Sequence, residues 1–370
     1  MHRTVGIIDV NSLIKPSISS SFKRHLDYAE ELRILNPNNH LAVYSNSLEN
    51  PGLNFESLRY YPLGNRYESK LGFLASTFKM IRKEPPGLII AGDPWTGLIS
   101  AFLMSLTHLP RIPIQVQLHT DISDPNWYEA SFKNRFKRII CKFLLRTANE
   151  IRFVTQTQKD LVCQDFHLRK IRGFVAAVPL NLSESVPIRE ELVDINSVGF
   201  VGRIESDRGL EILLLLLQEL NNNAKPPKLI LVGDGEKKDY LIEQLQRLTP
   251  RIEVVQMGFL EGIEMETAWR KIGVLLSTAP SESYGRTIRE SLVHGVPVIA
   301  LGSNGANQLA KSIPSPYLQI IDLDSKVRFG EILSVSQKTL VPKEIAAQLV
   351  SESRDNRRKV ALSWDAWLEF

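Results

Sequence analysis

The sequence predicts an α/β protein built from two Rossmann-like domains in tandem. Three observations carry this: the length, the alternation of short aliphatic runs with segments of helical period, and the restart of that alternation part-way along. The chain has 370 residues, more than one hydrophobic core usually serves, so two domains of about 150 to 200 residues are expected. Alternating runs of this kind mark βα units wound around parallel sheets.

In the first half, strands are predicted at Val5 to Val10, Leu41 to Tyr44, Leu58 to Tyr61, Leu88 to Ala91, Ile114 to Leu118 and Ile151 to Val154. A polar, proline-containing stretch near residues 179 to 194, within "VAAVPLNLSESVPIREELVDINS", reads as the linker. Strands then resume at Val198 to Val201, Lys228 to Val232, Ile252 to Gln256, Val274 to Ser277, Pro297 to Ala300 and Gln319 to Ile321. Ile212 to Leu217 is an apolar run of six and reads as buried helix. Lys343 to Phe370 has helical period and ends "SWDAWLEF", an aromatic end that needs a surface to pack on. The expected boundaries are 1–185, 186–350 and 351–370, the last a helix packing back across the domains.

Composition bounds the function. Hydrophobic residues are 43% and charged residues 23%, the balance of an ordinary globular chain. Forty-five basic against 41 acidic side chains leave a net charge of +4, too small to indicate nucleic acid, so any anion preference must come from local clustering. Cys141 and Cys163 are the only cysteines, too few for a disulfide framework or a zinc site, and fit a reducing cytosol. No apolar signal region opens the chain and no run is long enough to span a bilayer.

In open α/β sheets ligands bind beyond the carboxyl ends of the strands. Three such places stand out in the second half. In "VGFVGRIESDRGL", Gly202 and Arg203 follow a strand, and Arg208 and Gly209 open the next helix. Glycine lets backbone N–H groups face a ligand and two guanidiniums can clamp a diphosphate, although glycines that only turn the chain and solvated arginines account equally well for the stretch. "LILVGDGEKK" puts Gly233 in a turn that matches neither a dinucleotide fingerprint nor a P-loop, and a plain βα turn is the simpler reading. "APSESYGRTIRESLVHGVPVIA" places Glu282 in a loop and Glu290 in the helix that follows, near residues 287 to 294, with Gly295 closing that helix. The helix start offers unpaired N–H groups to an anion, and carboxylates suit hydroxyls. A solvated helix start with a capping acid would explain the glutamates taken alone.

Together the three segments resemble the retaining GT-B glycosyltransferases of family 4, the glycosyl transferases group 1. That family carries a Gly-Arg…Lys-Gly segment, a Gly-Asp-Gly strand end and an E-x7-E motif in this order, here "GRIESDRG", "VGDGE" and "ESYGRTIRE". The resemblance implies a GT-B fold whose parallel sheets face a central cleft. It also implies transfer of a sugar from a nucleotide diphosphate donor to a saccharide or lipid-linked saccharide, with retention, no cofactor and no metal. Arg203 would bind the diphosphate, and Arg208, where lysine is usual, would join it. Glu282 would hold donor-sugar hydroxyls, Gly285 would bring backbone to the phosphates, and Glu290 would bind the ribose diol. Gly202, Gly233, Ser283, Tyr284 and Arg286 would line the donor site. Tyr284 replaces a common phenylalanine, Gln308 stands where glutamate is frequent, and "VNSLIKPSISS" lacks the paired glycines usual after the first strand. The missing glycines favour a second reading, a non-catalytic protein binding nucleotide sugar or glycan; a nucleotide-sugar epimerase of the same build is a third.

In the first half the resemblance implies a histidine after a central strand, and "IQVQLHTDI" supplies His119, followed by Asp121. Without that context a lone histidine at a strand end is more often packed or solvated. Trp95 and Trp127 sit in strand-end loops, where aromatic faces either stack on acceptor sugars or pin the loops. Residues 131 to 146 hold six basic side chains and no acidic one. Phe132, Phe136, Ile139, Ile140 and Phe143 share one helical face there. A core-facing helix with a solvated basic flank is the reading preferred; the other is an interfacial helix near anionic lipid or a lipid diphosphate acceptor. The expected location is cytoplasmic, with peripheral contact at the inner membrane face, in polysaccharide or cell-envelope glycan synthesis.

Overall fold

A computed structural model describes residues 3–14, 20–49, 55–64, 69–168, 171–180, 182, 196–322 and 329–369. The expected linker falls almost wholly outside the described residues, as do positions 15–19 of the loop after the first strand. Contacts divide the chain into two units, Met1–Pro179 with Ser353–Phe370, and Leu180–Glu352.

The first unit is a seven-stranded sheet of β1 (Thr4–Asp9), β2 (His40–Ser45), β3 (Leu58–Pro62), β4 (Leu88–Ala91), β5 (Ile114–Leu118), β6 (Glu150–Phe153) and β7 (Arg172–Val175). All pairings are parallel, in the order β3-β2-β1-β4-β5-β6-β7. Helices cover the sheet, and its central strands β4 and β5 are buried along their whole length, as strands covered on both faces must be. β7 is absent from the sequence-based expectation.

The second unit is a six-stranded parallel sheet of β8 (Ser197–Val201), β9 (Lys228–Val232), β10 (Val254–Gly258), β11 (Val274–Ser277), β12 (Val298–Leu301) and β13 (Leu318–Ile321), in the order β10-β9-β8-β11-β12-β13. The leucine run lies in the helix Leu210–Asn221, which buries Leu213, Leu214, Leu216 and Leu217 against the sheet. β10 begins two residues later than expected. The Ile252 N–H is committed to the Thr249 carbonyl at 3.0 Å, which makes Ile252 part of a turn rather than of the ladder.

The last helix, Lys343–Leu368, ends in the first unit. There Trp364 is completely buried and its indole N–H donates to Gln115 Oε1 at 2.9 Å. Glu150 Oε2 accepts from Ser363 Oγ at 2.7 Å, Trp367 Nε1 at 3.1 Å and Gln115 Nε2 at 2.6 Å. One buried carboxylate oxygen thus ties two strands to the C-terminal helix, satisfying a charge that burial would otherwise penalise.

The helix Phe132–Leu144 overturns the core-facing expectation. Its apolar face points outward: Phe132 is 87% exposed, Phe136 63%, Ile139 57% and Phe143 65%. Cys141 on the opposite side is the buried residue. Periodicity reveals a stripe but not which way it faces.

Candidate functional site

In each sheet the strand order reverses beside the first strand of the unit, and such switch points open a crevice at the carboxyl ends. In the second unit the reversal lies between β8 and β11. The loops leaving those two strands carry Gly202 to Gly209 and Thr278 to Gly285, so the sequence motifs meet where the topology leaves room.

Backbone packing dictates the glycines. Gly209 has φ +65°, and a Cβ there would lie 1.9 Å from the Thr278 carbonyl oxygen. Thr278 Oγ1 in turn donates to the Arg208 carbonyl at 2.9 Å, joining the two loops. Gly233 has φ +131°, and a Cβ there would lie 1.8 Å from the Gly202 carbonyl oxygen. The Gly-Asp-Gly turn therefore has a structural reason of its own, the close passage of the loop after β9 under the loop after β8.

Opposite charges fill the corner. Arg208 Nη1 lies 3.2 Å from Glu282 Oε2, with both side chains about three-quarters buried. Gly285 N–H donates to the other Glu282 oxygen at 3.3 Å. Arg203 is exposed and meets Glu205 at 2.6 Å and Asp207 at 3.6 Å. Arg286 Nε lies 3.4 Å from Glu290 Oε1, one helical turn on, where the Glu290 side chain is largely buried. Each of these guanidiniums already faces a carboxylate, so an anionic ligand would have to exchange with one.

The loop is held from behind. Arg289 is buried, donates to the Tyr284 carbonyl and stacks 3.7 Å from the Tyr284 ring centroid. Burial pushes the Tyr284 hydroxyl pKa up to about 12, with the Glu352 charge adding to the rise. Ser283 is also buried, and the Gly305 N–H donates to the Glu282 carbonyl at 2.7 Å. The helix Arg286–Val293 starts at Gly285, in the left-handed region at φ +71°.

Thr278 and Lys237 are absent from the sequence-based choice. Lys237, with Glu205, Ser206 and Glu236, lines a depression of about 160 Å³ between the first two loops. Lys237 directly follows the "VGDGE" segment and Thr278 directly precedes the Ala279 loop, and the role of each depends on loops meeting across the sheet. An Asp-x-Asp pair at Asp322 to Asp324 follows β13, but Asp324 lies outside the described residues and no role is assigned to it.

In the first unit His119 follows β5 and is exposed. Its Nε2 lies 3.2 Å from Gln117 Oε1, and Arg152 donates to the same oxygen at 3.3 Å. The arginine fixes that oxygen as an acceptor, so His119 Nε2 donates to it. Asp121 is buried two residues on. Trp95 and Trp127 stack on one another at 6.0 Å, and Trp95 Nε1 donates to the Lys137 carbonyl at 3.2 Å. Where paired glycines are usual, Asp9 organises the loop after β1: its carboxylate accepts from Leu13 N and Ile14 N, each at 2.9 Å, and from Ser45 Oγ at 2.8 Å.

Residues 188–312 match the family described as glycosyl transferases group 1. The matched residues all lie within the second unit. Over 265 residues the chain is 26% identical to an uncharacterized glycosyltransferase of Methanocaldococcus jannaschii, covering 67% of this chain and 64% of that protein. Over 109 residues it is 29% identical to the alpha-monoglucosyldiacylglycerol synthase of Streptococcus pneumoniae, covering 30% of this chain and 25% of that one. The matched stretches span less than two thirds of these curated relatives. Among solved structures, Anabaena HepE in complex with UDP and glucose superposes with a TM-score of 0.70 at 19% identity, covering 99% of this chain and 100% of that one. That likeness shows the fold, two parallel-sheet Rossmann-like domains of the GT-B class.

Proposed function

We propose that this chain is a retaining, metal-independent glycosyltransferase that needs no cofactor. It moves a sugar from a nucleoside diphosphate to a hydroxyl of a saccharide or lipid-linked saccharide, in polysaccharide or cell-envelope glycan synthesis. The observation that carries the reading is the meeting of Arg208, Glu282 and the start of the helix Arg286–Val293 at the switch point of the unit that holds the group 1 match.

Arg203, Arg208 and the helix N-terminus would stabilise the departing diphosphate as its charge develops. Glu282 would accept from donor-sugar hydroxyls and Glu290 from the ribose diol, with Gly202, Gly233, Ser283, Tyr284, Gly285 and Arg286 completing the donor site. The bond from the anomeric carbon to the diphosphate oxygen breaks, the acceptor oxygen bonds to that carbon on the same face, and its proton passes to the departing oxygen. His119 is the proposed catalytic group of the first unit, and Trp95, Asp121 and Trp127 the proposed acceptor contacts. The Anabaena structure holds UDP and glucose, which makes UDP-glucose the first donor to try.

The test is release of nucleoside diphosphate from UDP-, GDP- and ADP-sugars in the presence of saccharide acceptors. Arg203→Ala and Glu282→Ala are each expected to lower the rate roughly 100-fold. Full rates in both variants would remove the proposed site, and isomerised donor without acceptor would indicate an epimerase.

A further inference from the structure

The helix Phe132–Leu144 is built inside out. Its four most exposed apolar side chains, Phe132, Phe136, Ile139 and Phe143, recur at spacings of three and four, so they form one stripe. The side facing the protein packs Cys141 and Leu144 against the core and is held there by polar contacts. There Lys137 Nζ sits 4.5 Å from the Trp95 ring centroid and the Lys137 carbonyl takes the Trp95 indole N–H, while Arg138 pairs with Asp165 and lies 4.5 Å from the Tyr128 ring centroid. Arg146 donates to the Phe166 carbonyl at 2.9 Å and holds the end of the helix down. The orientation is therefore fixed by specific contacts.

Three phenylalanines and an isoleucine held in water oppose the hydrophobic effect, and a stripe of this kind marks an interaction surface. Its flanks say which. Lys133 and Arg135 are exposed on either side of the stripe with Lys142 and Arg146 further along, and from 131 to 146 there is no acidic residue. No helix among the described residues is long and apolar enough to cross a membrane.

We propose that this helix docks the first unit onto an anionic lipid surface, with Phe132, Phe136, Ile139 and Phe143 entering the acyl boundary and Lys133, Arg135 and Lys142 meeting the headgroup charge. An apolar stripe flanked only by cations fits that surface: aromatic insertion supplies area and the cations supply selection for negative headgroups. An acidic protein partner would supply the charge but not a fluid apolar phase for four protruding side chains. The inference does not depend on the transferase reading.

The test is co-sedimentation of the full chain with vesicles of phosphatidylcholine alone and of phosphatidylcholine mixed with phosphatidylglycerol. The native chain is expected to bind the mixed vesicles at least about tenfold more tightly than the neutral ones, and to release at high salt. Phe136→Ser with Phe143→Ser should lose at least about tenfold in affinity for the mixed vesicles. Lys133→Glu with Arg135→Glu should abolish the preference for anionic lipid. Both pairs are at the surface, and unchanged circular dichroism and thermal midpoint confirm that loss reflects the face and not the fold. Equal binding to both vesicles, or unchanged binding in the serine variant, overturns the proposal. So does a lipid-free dimer that the serine substitutions dissociate, which would give the face to a second copy of the chain.

Discussion

The Arg208 guanidinium lies 3.2 Å from the Glu282 carboxylate across 74 residues of sequence, so the loop after β8 and the loop after β11 form one surface. The pair is partly solvated and contributes at most about 1 kcal/mol to stability. Glu282→Gln is therefore expected to leave the thermal midpoint nearly unchanged while lowering kcat/KM for transfer roughly 100-fold. Paired melting and kinetic measurements check this; a large drop in midpoint would give the residue a structural role instead.

Arg203 is held by Glu205 at 2.6 Å and Asp207 at 3.6 Å. At the proposed donor site a diphosphate would compete with these carboxylates, and an exposed pair of this kind is worth about 0.2–1 kcal/mol. Glu205→Gln is expected to tighten nucleoside diphosphate binding by up to about fivefold. Calorimetry on both proteins reads the change, and weaker binding in the variant would mean that Glu205 itself contacts the ligand.

The two tight glycines make a graded prediction. Gly233→Ala puts a Cβ 1.8 Å from the Gly202 carbonyl oxygen, whereas Gly258→Ala, at φ +69°, meets nothing within 4 Å. The second change incurs only the left-handed backbone, about 1 kcal/mol, and the first must also move a loop, about 3 kcal/mol or more. Urea unfolding separates them; equal midpoints would show that the loops are not packed as described.

Stability should fall as pH drops through the histidine range. Burial, helped by the Arg24 charge, lowers the His25 pKa to about 3, and burial also lowers that of His294. The unfolded chain binds protons near pH 6.5 while the folded chain does not, so the contribution of these groups is complete above pH 6.5 and is lost as pH falls. For His25 the loss is roughly 1.4 kcal/mol per pH unit between about 6.5 and 3. His25→Gln should flatten the slope of unfolding free energy against pH relative to the native chain, and an identical slope would show that His25 titrates normally.

The C-terminal helix should be indispensable to the first unit. Trp364 is fully buried and belongs to the core cluster that includes Tyr28 and Val360. Trp364→Ala is expected to cost about 3–5 kcal/mol, measured by denaturant unfolding; a cost below about 1 kcal/mol would mean that the helix is peripheral.

Most strand positions are legible because buried parallel strands read as short apolar runs between turn residues. β7 is not. Arg172–Val175 has four residues, opens with Arg and Gly, and pairs only with β6 at the sheet edge, so little apolar pattern survives in it. Arg208, Glu282 and Glu290 are legible as an ordered set of motifs. Thr278, Lys237 and Glu352 are not, because each acts through a contact between separate segments. The Phe132–Leu144 helix shows the limit most plainly, since its stripe is periodic whichever side meets the protein, and only the Trp95, Tyr128 and Asp165 contacts decide.

The donor site of the second unit is the central claim, and the thermal midpoint of the chain with UDP, GDP and ADP, alone and as sugar conjugates, tests it most directly beside Glu290→Ala. A ligand that binds only the folded state raises that midpoint. One nucleotide should raise it in the native chain and leave the variant unmoved. No shift with any of them, or the same shift in both proteins, would contradict the site.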